Sequence, residues 1–254
     1  MTTASVVDVR DTARSVTSWL ASAGWAIVLG AASGSACVAI RLLFRLLQWV
    51  FVQQTGMLPM VAATLPPARR ILTPIIGAAL ATFVVWMMRK WAPDVRFEEY
   101  VDAIRLRNGR IPLLSTVWRT ASSAFSVATG AAIGREGSMI QFAAAISSWV
   151  AERSPLRSLS SARQVAYGTA GAVAAAYQAP IAGVLFVTEI VLGEWVWSDI
   201  PRLLLASSTG WLISCLLLGA GPLFPVKGSL LITRDLLWAL PLRSEERRVG
   251  TECW

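Results

Sequence analysis

Gly130-Ala131-Ala132-Ile133-Gly134-Arg135-Glu136-Gly137-Ser138, running on into the uncharged stretch Met139 to Val150, is the segment whose reading decides the fold. An arginine and a glutamate stand side by side, bracketed by glycines, between two apolar runs. Ionised side chains at membrane depth are costly and usually mark a functional site. A backbone without Cβ lets a small ligand approach closely. Ser138 is placed to cap the helix that follows. The free N–H groups and positive dipole end of such a helix attract an anion. Glu136 is then expected to act as a tethered competitor, its carboxylate occupying the anion's place until protonation releases it. A structural Arg–Glu pair stapling a helix start fits the same string equally well.

The runs on either side establish the setting. Ser18 to Ile40, Ile71 to Met88, Ala121 to Ile133, Met139 to Val150, Gln164 to Val187 and Leu203 to Val226 carry no charge. A helix needs about 20 mostly apolar residues to cross the hydrocarbon core, and these segments lack the recurring polar face of a soluble helix. Only 15% of the 254 residues are charged, against about a quarter in soluble domains, and mean hydropathy is +0.57. The chain reads as an all-α integral membrane protein with several spans.

Composition removes several function classes. Histidine is absent, so a Ser–His pair and histidine metal ligands are excluded. An intramembrane enzyme built on Ser138 would also lack a lysine base in the apolar core, and no catalytic residue is assigned. Cys37 and Cys215 lie in apolar stretches as small core residues, without metal spacing. No cofactor or metal site is visible. The net charge of +8 gathers at Arg89, Lys90, Arg96, Arg105, Arg107 and Arg110. That is a cytoplasmic loop under the positive-inside rule, not a nucleic-acid surface. Residues 1–17 are polar and read as a cytoplasmic start.

Ser18 to Phe51 reads as one long, tilted helix. Its Gly30, Ser33, Gly34, Ser35 and Ala36 make a face for close packing, and Arg41 and Arg45 are expected to snorkel to an interface. Gln53 to Pro67 reads as a loop, and Ile71 to Arg89 as a second span. From Leu113 onward the runs shorten, as expected where helix ends meet around an ion path. Gly168 to Ala176 is almost wholly Gly and Ala, Pro180 opens a new helix, and Glu189 follows after a long uncharged run. Glu189 reads equally well as a membrane-boundary carboxylate.

Two strings in this order, GREGS at 134–138 and YQAPIAGVLFVTEI at 177–190, resemble the CLC family of chloride channels and chloride/proton antiporters, in particular its bacterial ClcB branch. The first is similar to that family's GREGP element. The second is similar to its FNAPLAGILF stretch ending in two glutamates. The similarity reaches over most of residues 18–242. It implies a CLC-type bundle of tilted and broken helices, here the first inverted half and the start of the second. It also implies a homodimer in a bacterial inner membrane, each subunit passing chloride or another small anion. Glu136 would be the gating glutamate, and Gly134, Arg135, Gly137 and Ser138 the backbone lining the anion site.

Three departures from the family pattern qualify this. Counted back from Glu136 without gaps, Val95 stands where the family has an anion-coordinating serine. Ile190, after Glu189, replaces the second glutamate of the antiporters, which relays protons; isoleucine cannot, so passive or weakly coupled conduction is expected. The second inverted half is absent, so residues 1–242 alone should not conduct. A fluoride exporter and a non-transporting fragment are the alternatives. Residues 243–254, RSEERRVGTECW, resemble the translation of a common sequencing adapter apart from Thr251, and are set aside as a non-native tail.

Overall fold

The computed structural model describes residues 4–219, apart from 57, 93–97, 132 and 157–158. Side chains are described from Val16 onward, those of Leu58 and Pro59 excepted. Within these residues the chain is helical. The helices are α1 (Ala4–Val52), α2 (Leu58–Thr64), α3 (Pro67–Trp91), α4 (Tyr100–Leu106), α5 (Leu113–Ala128), α6 (Arg135–Ala151), α7 (Ser161–Tyr177), α8 (Pro180–Phe186) and α9 (Ile200–Leu218). A π-helical turn, Val187–Leu192, continues α8. The expected domain division at residue 17 falls inside α1. Residues 220–254, with the tail at 243–254, lie outside the described residues.

Among the described residues, three helical segments are long and apolar enough to cross a membrane: Val16–Val52, Pro67–Trp91 and Ile200–Leu218. At 1.5 Å per residue the first extends over about 55 Å, far beyond a hydrocarbon core of about 30 Å, so it must lean. α3 leaves Ile71, Leu72, Ile75, Phe83 and Trp86 uncovered, an apolar surface that suits lipid. The stretch expected to be a loop, Gln53 to Pro67, contains the short helix α2. Leu58 to Thr64 has no charge and ample helix formers, and nearly two turns form before Leu65 and Pro66 separate it from α3.

α7 is the axis of the packing. Every residue from Gln164 to Ala176 is buried, and α1, α6, α8 and α9 surround the helix. Its glycines and alanines make this possible. A Cβ on Gly171 would stand 2.9 Å from Gly30 Cα and 3.0 Å from the Ala206 carbonyl oxygen. A Cβ on Gly34 would stand 2.8 Å from Gly210 Cα. The backbones of α1, α7 and α9 therefore touch through the small-residue face expected of α1.

One end of this triple contact is pinned by a buried carboxylate. Asp199, immediately before α9, is 1% exposed. It accepts a hydrogen bond from the Tyr167 hydroxyl at 3.0 Å and pairs with Arg163 and Arg202, each at 3.4 Å. Arg202 also donates to Ser22 Oγ at 2.8 Å, which brings α1 into the same cluster.

Candidate functional site

α5 ends at Ala128, and the chain turns back at once. Gly130 has φ +112, a conformation that a side chain would strain. The amides of Gly130 and Ala131 return to the carbonyls of Val127 and Ser126 at 3.2 and 3.0 Å. Gly134 (φ −55, ψ 132) leads into α6, whose first residue is Arg135. The first-turn amides, those of Arg135, Glu136 and Gly137, have no carbonyl within the helix to meet.

Ser138 does not cap this helix. It lies a full turn inside α6, and its hydroxyl donates to the Arg135 carbonyl at 3.0 Å. The cap position falls on Gly134, which offers no side chain, so no side-chain cap occupies the helix start. The Glu136 carboxylate lies beside Gly134 instead. A Cβ built on Gly134 would stand 3.1 Å from Glu136 Oε2, whereas one on Gly137 would meet nothing within 4 Å. Arg135 Nε lies 3.5 Å from Glu136 Oε1, and both side chains keep partial exposure. Such a pair is loose and low in energy, and neither group is locked in place by it.

A cavity of about 440 Å³ opens beside this helix start, with Gly134, Gly137 and Ser138 on one wall and α5 on the other. Gln141 ties the adjoining α4 in place. It accepts from the Tyr100 amide and donates to the Glu98 carbonyl, both at 2.9 Å. Val95, counted onto the family's serine position, lies outside the described residues.

The second string forms the break foreseen for it. α7 stops as Gln178 takes a left-handed conformation (φ 56), and Pro180 opens α8 as its first residue. Arg41 does not snorkel. It is 7% exposed, and its Nη2 donates to the Ala176 carbonyl at 3.3 Å, in the last turn of α7. A cation placed there suits the negative dipole end of that helix. Arg41 also lies within electrostatic reach of Arg135 and Glu136, as Tyr177 does of Glu136. The start of α6 and the end of α7 thus meet at one level of the bundle.

Glu189 and Ile190 sit apart from this level, on the π-helical turn, both exposed. Arg105 of α4 holds that turn, donating from Nη2 to the Ile190 carbonyl at 2.8 Å and from Nε to the Val191 carbonyl at 2.9 Å. Sequence reasoning assigned Arg105 only to a basic loop. Its partners are backbone carbonyls 85 and 86 residues away, which no local pattern reports.

The family model described as voltage gated chloride channel matches residues 77–243. A ClcB-like chloride channel protein of Ralstonia nicotianae is 35% identical over 201 residues, covering 78% of this chain and 47% of the relative. The voltage-gated ClC-type chloride channel ClcB of Citrobacter koseri is 31% identical over 205 residues, 78% of this chain and 48% of that one. A crystal structure of a slow cyanobacterial Cl−/H+ antiporter superposes with a TM-score of 0.65 at 20% identity, covering 86% of this chain and 52% of the other. The chain spans about half the length of the curated relatives it matches. With that match and the broken-helix bundle that bears it out, the chain belongs to the voltage-gated chloride channel (CLC) family.

Proposed function

We propose that the full-length protein containing this chain passes small anions, chloride foremost, across a bacterial inner membrane. Glu136 serves as the gate. The observation that carries this reading is the Glu136 carboxylate lying beside Gly134 at the start of α6, next to an open Gly137. A helix start without a side-chain cap holds an anion well, and a tethered carboxylate is the nearest anion available. Protonation removes its charge, the side chain leaves, and a free anion takes its place. Gly134, Arg135, Gly137 and Ser138 supply the backbone of that place.

Ile190 supports transport without obligatory proton exchange, since the position after Glu189 carries no ionisable group. The protein works as a homodimer and catalyses no covalent chemistry. The half of the path that would face α6 from beyond residue 242 completes each pore, so the described residues are a part of the conducting unit.

The test is chloride efflux from liposomes holding the complete protein, measured against pH and with or without a proton gradient. Efflux that varies with pH in the wild type and not in Glu136→Ala supports the gate. Unaltered pH dependence in Glu136→Ala would sink it, and a proton moved with every fixed number of anions would sink passive conduction. Because Val95 lacks a hydroxyl, fluoride efflux is measured alongside. Faster fluoride than chloride efflux would reassign the anion.

A further inference from the structure

Five threonines are buried among the described residues: Thr116, Thr120, Thr129, Thr169 and Thr188. Four of them turn the hydroxyl back onto the carbonyl four residues earlier, at 2.8 to 3.0 Å. This is the usual way for a helical hydroxyl to satisfy itself. Thr120 does not. It is 3% exposed, and its Oγ1 has no hydrogen-bond partner. Leaving a buried hydroxyl unmet is costly, so such a group ordinarily has a partner.

Thr120 lies on the α5 wall of the cavity that Gly134, Gly137 and Ser138 of α6 line from the other side. Three of the other hydroxyls that line the cavity are already committed. Ser122 donates to Ala81, Ser126 to Ser122 and Ser138 to Arg135, all backbone carbonyls. An anion needs donors, and on this wall Thr120 keeps an uncommitted one. Arg119 adds positive charge at the rim, weakened by its exposed pairing with Glu99 at 3.5 Å.

We infer that Thr120 is a side-chain ligand of the transported anion, donating its hydroxyl hydrogen bond from α5 to an anion held at the start of α6. The inference rests on the anion-path reading above and names a ligand within that path. A hydroxyl donating to a full charge is worth about 1.5–3 kcal/mol, on the order of tenfold to a hundredfold in affinity.

The experiment is calorimetric titration of the complete, detergent-solubilised protein with chloride, comparing the wild type with Thr120→Val and Thr120→Ser. Thr120→Val keeps the shape and removes the donor, and chloride binding is expected to weaken on the order of tenfold or more. Thr120→Ser keeps the donor and is expected to stay within about threefold of the wild type. Chloride affinity unchanged in Thr120→Val would mean that cavity water satisfies the hydroxyl, and would overturn the inference alone. Thr120→Ser as weak as Thr120→Val would overturn it too, because the methyl group would then be what matters. Should Thr120→Val not fold, Thr120→Ala is read against Thr120→Ser by the same criteria. A wild type that binds neither chloride nor fluoride would remove the anion-path reading itself, an outcome visible before any variant is compared.

Discussion

The guanidinium of Arg41, deep in α1, donates to the carbonyl of Ala176 in the last turn of α7, 135 residues along the chain. It meets one of the carbonyls that a helix end leaves without a partner. Replacing Arg41 by leucine removes both the donor and the charge at the dipole end of α7. The expected loss is about 1.5–3 kcal/mol, the worth of a hydrogen bond from a charged donor, read as a lowered midpoint of thermal unfolding in detergent. A variant as stable as the wild type would show that the Ala176 carbonyl finds another donor.

Gly171 has no room to grow. A Cβ there would press on Gly30 Cα at 2.9 Å and on Ser33 Oγ at 2.6 Å, and the first of these is backbone. Gly171→Ala should push α1 and α9 off α7 and cost at least about 1–3 kcal/mol, the range for overpacking a dense core. Gly24→Ala, where nothing lies within 4 Å of the new methyl, is the control and should leave the unfolding midpoint in place or raise it, since alanine favours the helix over glycine by about 0.5–1 kcal/mol.

Asp199 is the one carboxylate among the described residues that is almost wholly buried with two arginines against it. Asp199→Ala strands the charge of Arg202, whose side chain is 14% exposed, and frees the Tyr167 hydroxyl. Breaking a buried pair by deleting one partner costs about 3–5 kcal/mol. Arg163 is 44% exposed and recovers solvent, so the lower end, about 3 kcal/mol, is expected. The test is thermal unfolding of Asp199→Ala beside Asp199→Asn, which still accepts from Tyr167 and should lose less.

Ile190 hangs on a turn whose backbone Arg105 fixes, and its own side chain is exposed. Ile190→Glu therefore places a carboxylate without disturbing the held carbonyls. If proton transfer lacks only that group, the Ile190→Glu form of the complete protein should move protons with chloride in liposomes where the wild type is expected to move chloride alone. Identical proton flux in the two would mean that Ile190 does not decide coupling.

What could be read in the sequence was whatever is written locally. Uncharged length gave α1, α3 and the apolar part of α9. The Gly134 and Gln178-Ala179-Pro180 interruptions gave the two breaks, because glycine and proline act on their own backbone. What escaped was every feature made by distant partners. Arg41 and Arg45 look alike as a pair four residues apart, yet only Arg41 faces α7 and is buried. Ser138 looks like a cap, but α6 begins three residues before it, at Arg135, and an internal serine donates to its own helix. Thr120 is ordinary in sequence and singular only for the bond it does not make. α2 was lost because two prolines and a short length suggest a loop.

The contact of Gly30 with Ala206 and Gly171 also sets an order of events during synthesis. α1 leaves the ribosome before α7 and α9, with a small-residue face that those two helices fill. At about 5–20 residues per second, Gly30 waits on the order of ten seconds or more for Ala206 to appear. During that time its bare backbone faces lipid or another protein. α7 itself, nearly all glycine and alanine along Gly168 to Ala176, offers the bilayer little apolar area to grip. Its place in the membrane therefore depends on neighbours already there and others still to come, so insertion of this bundle is a joint act of α1, α7 and α9.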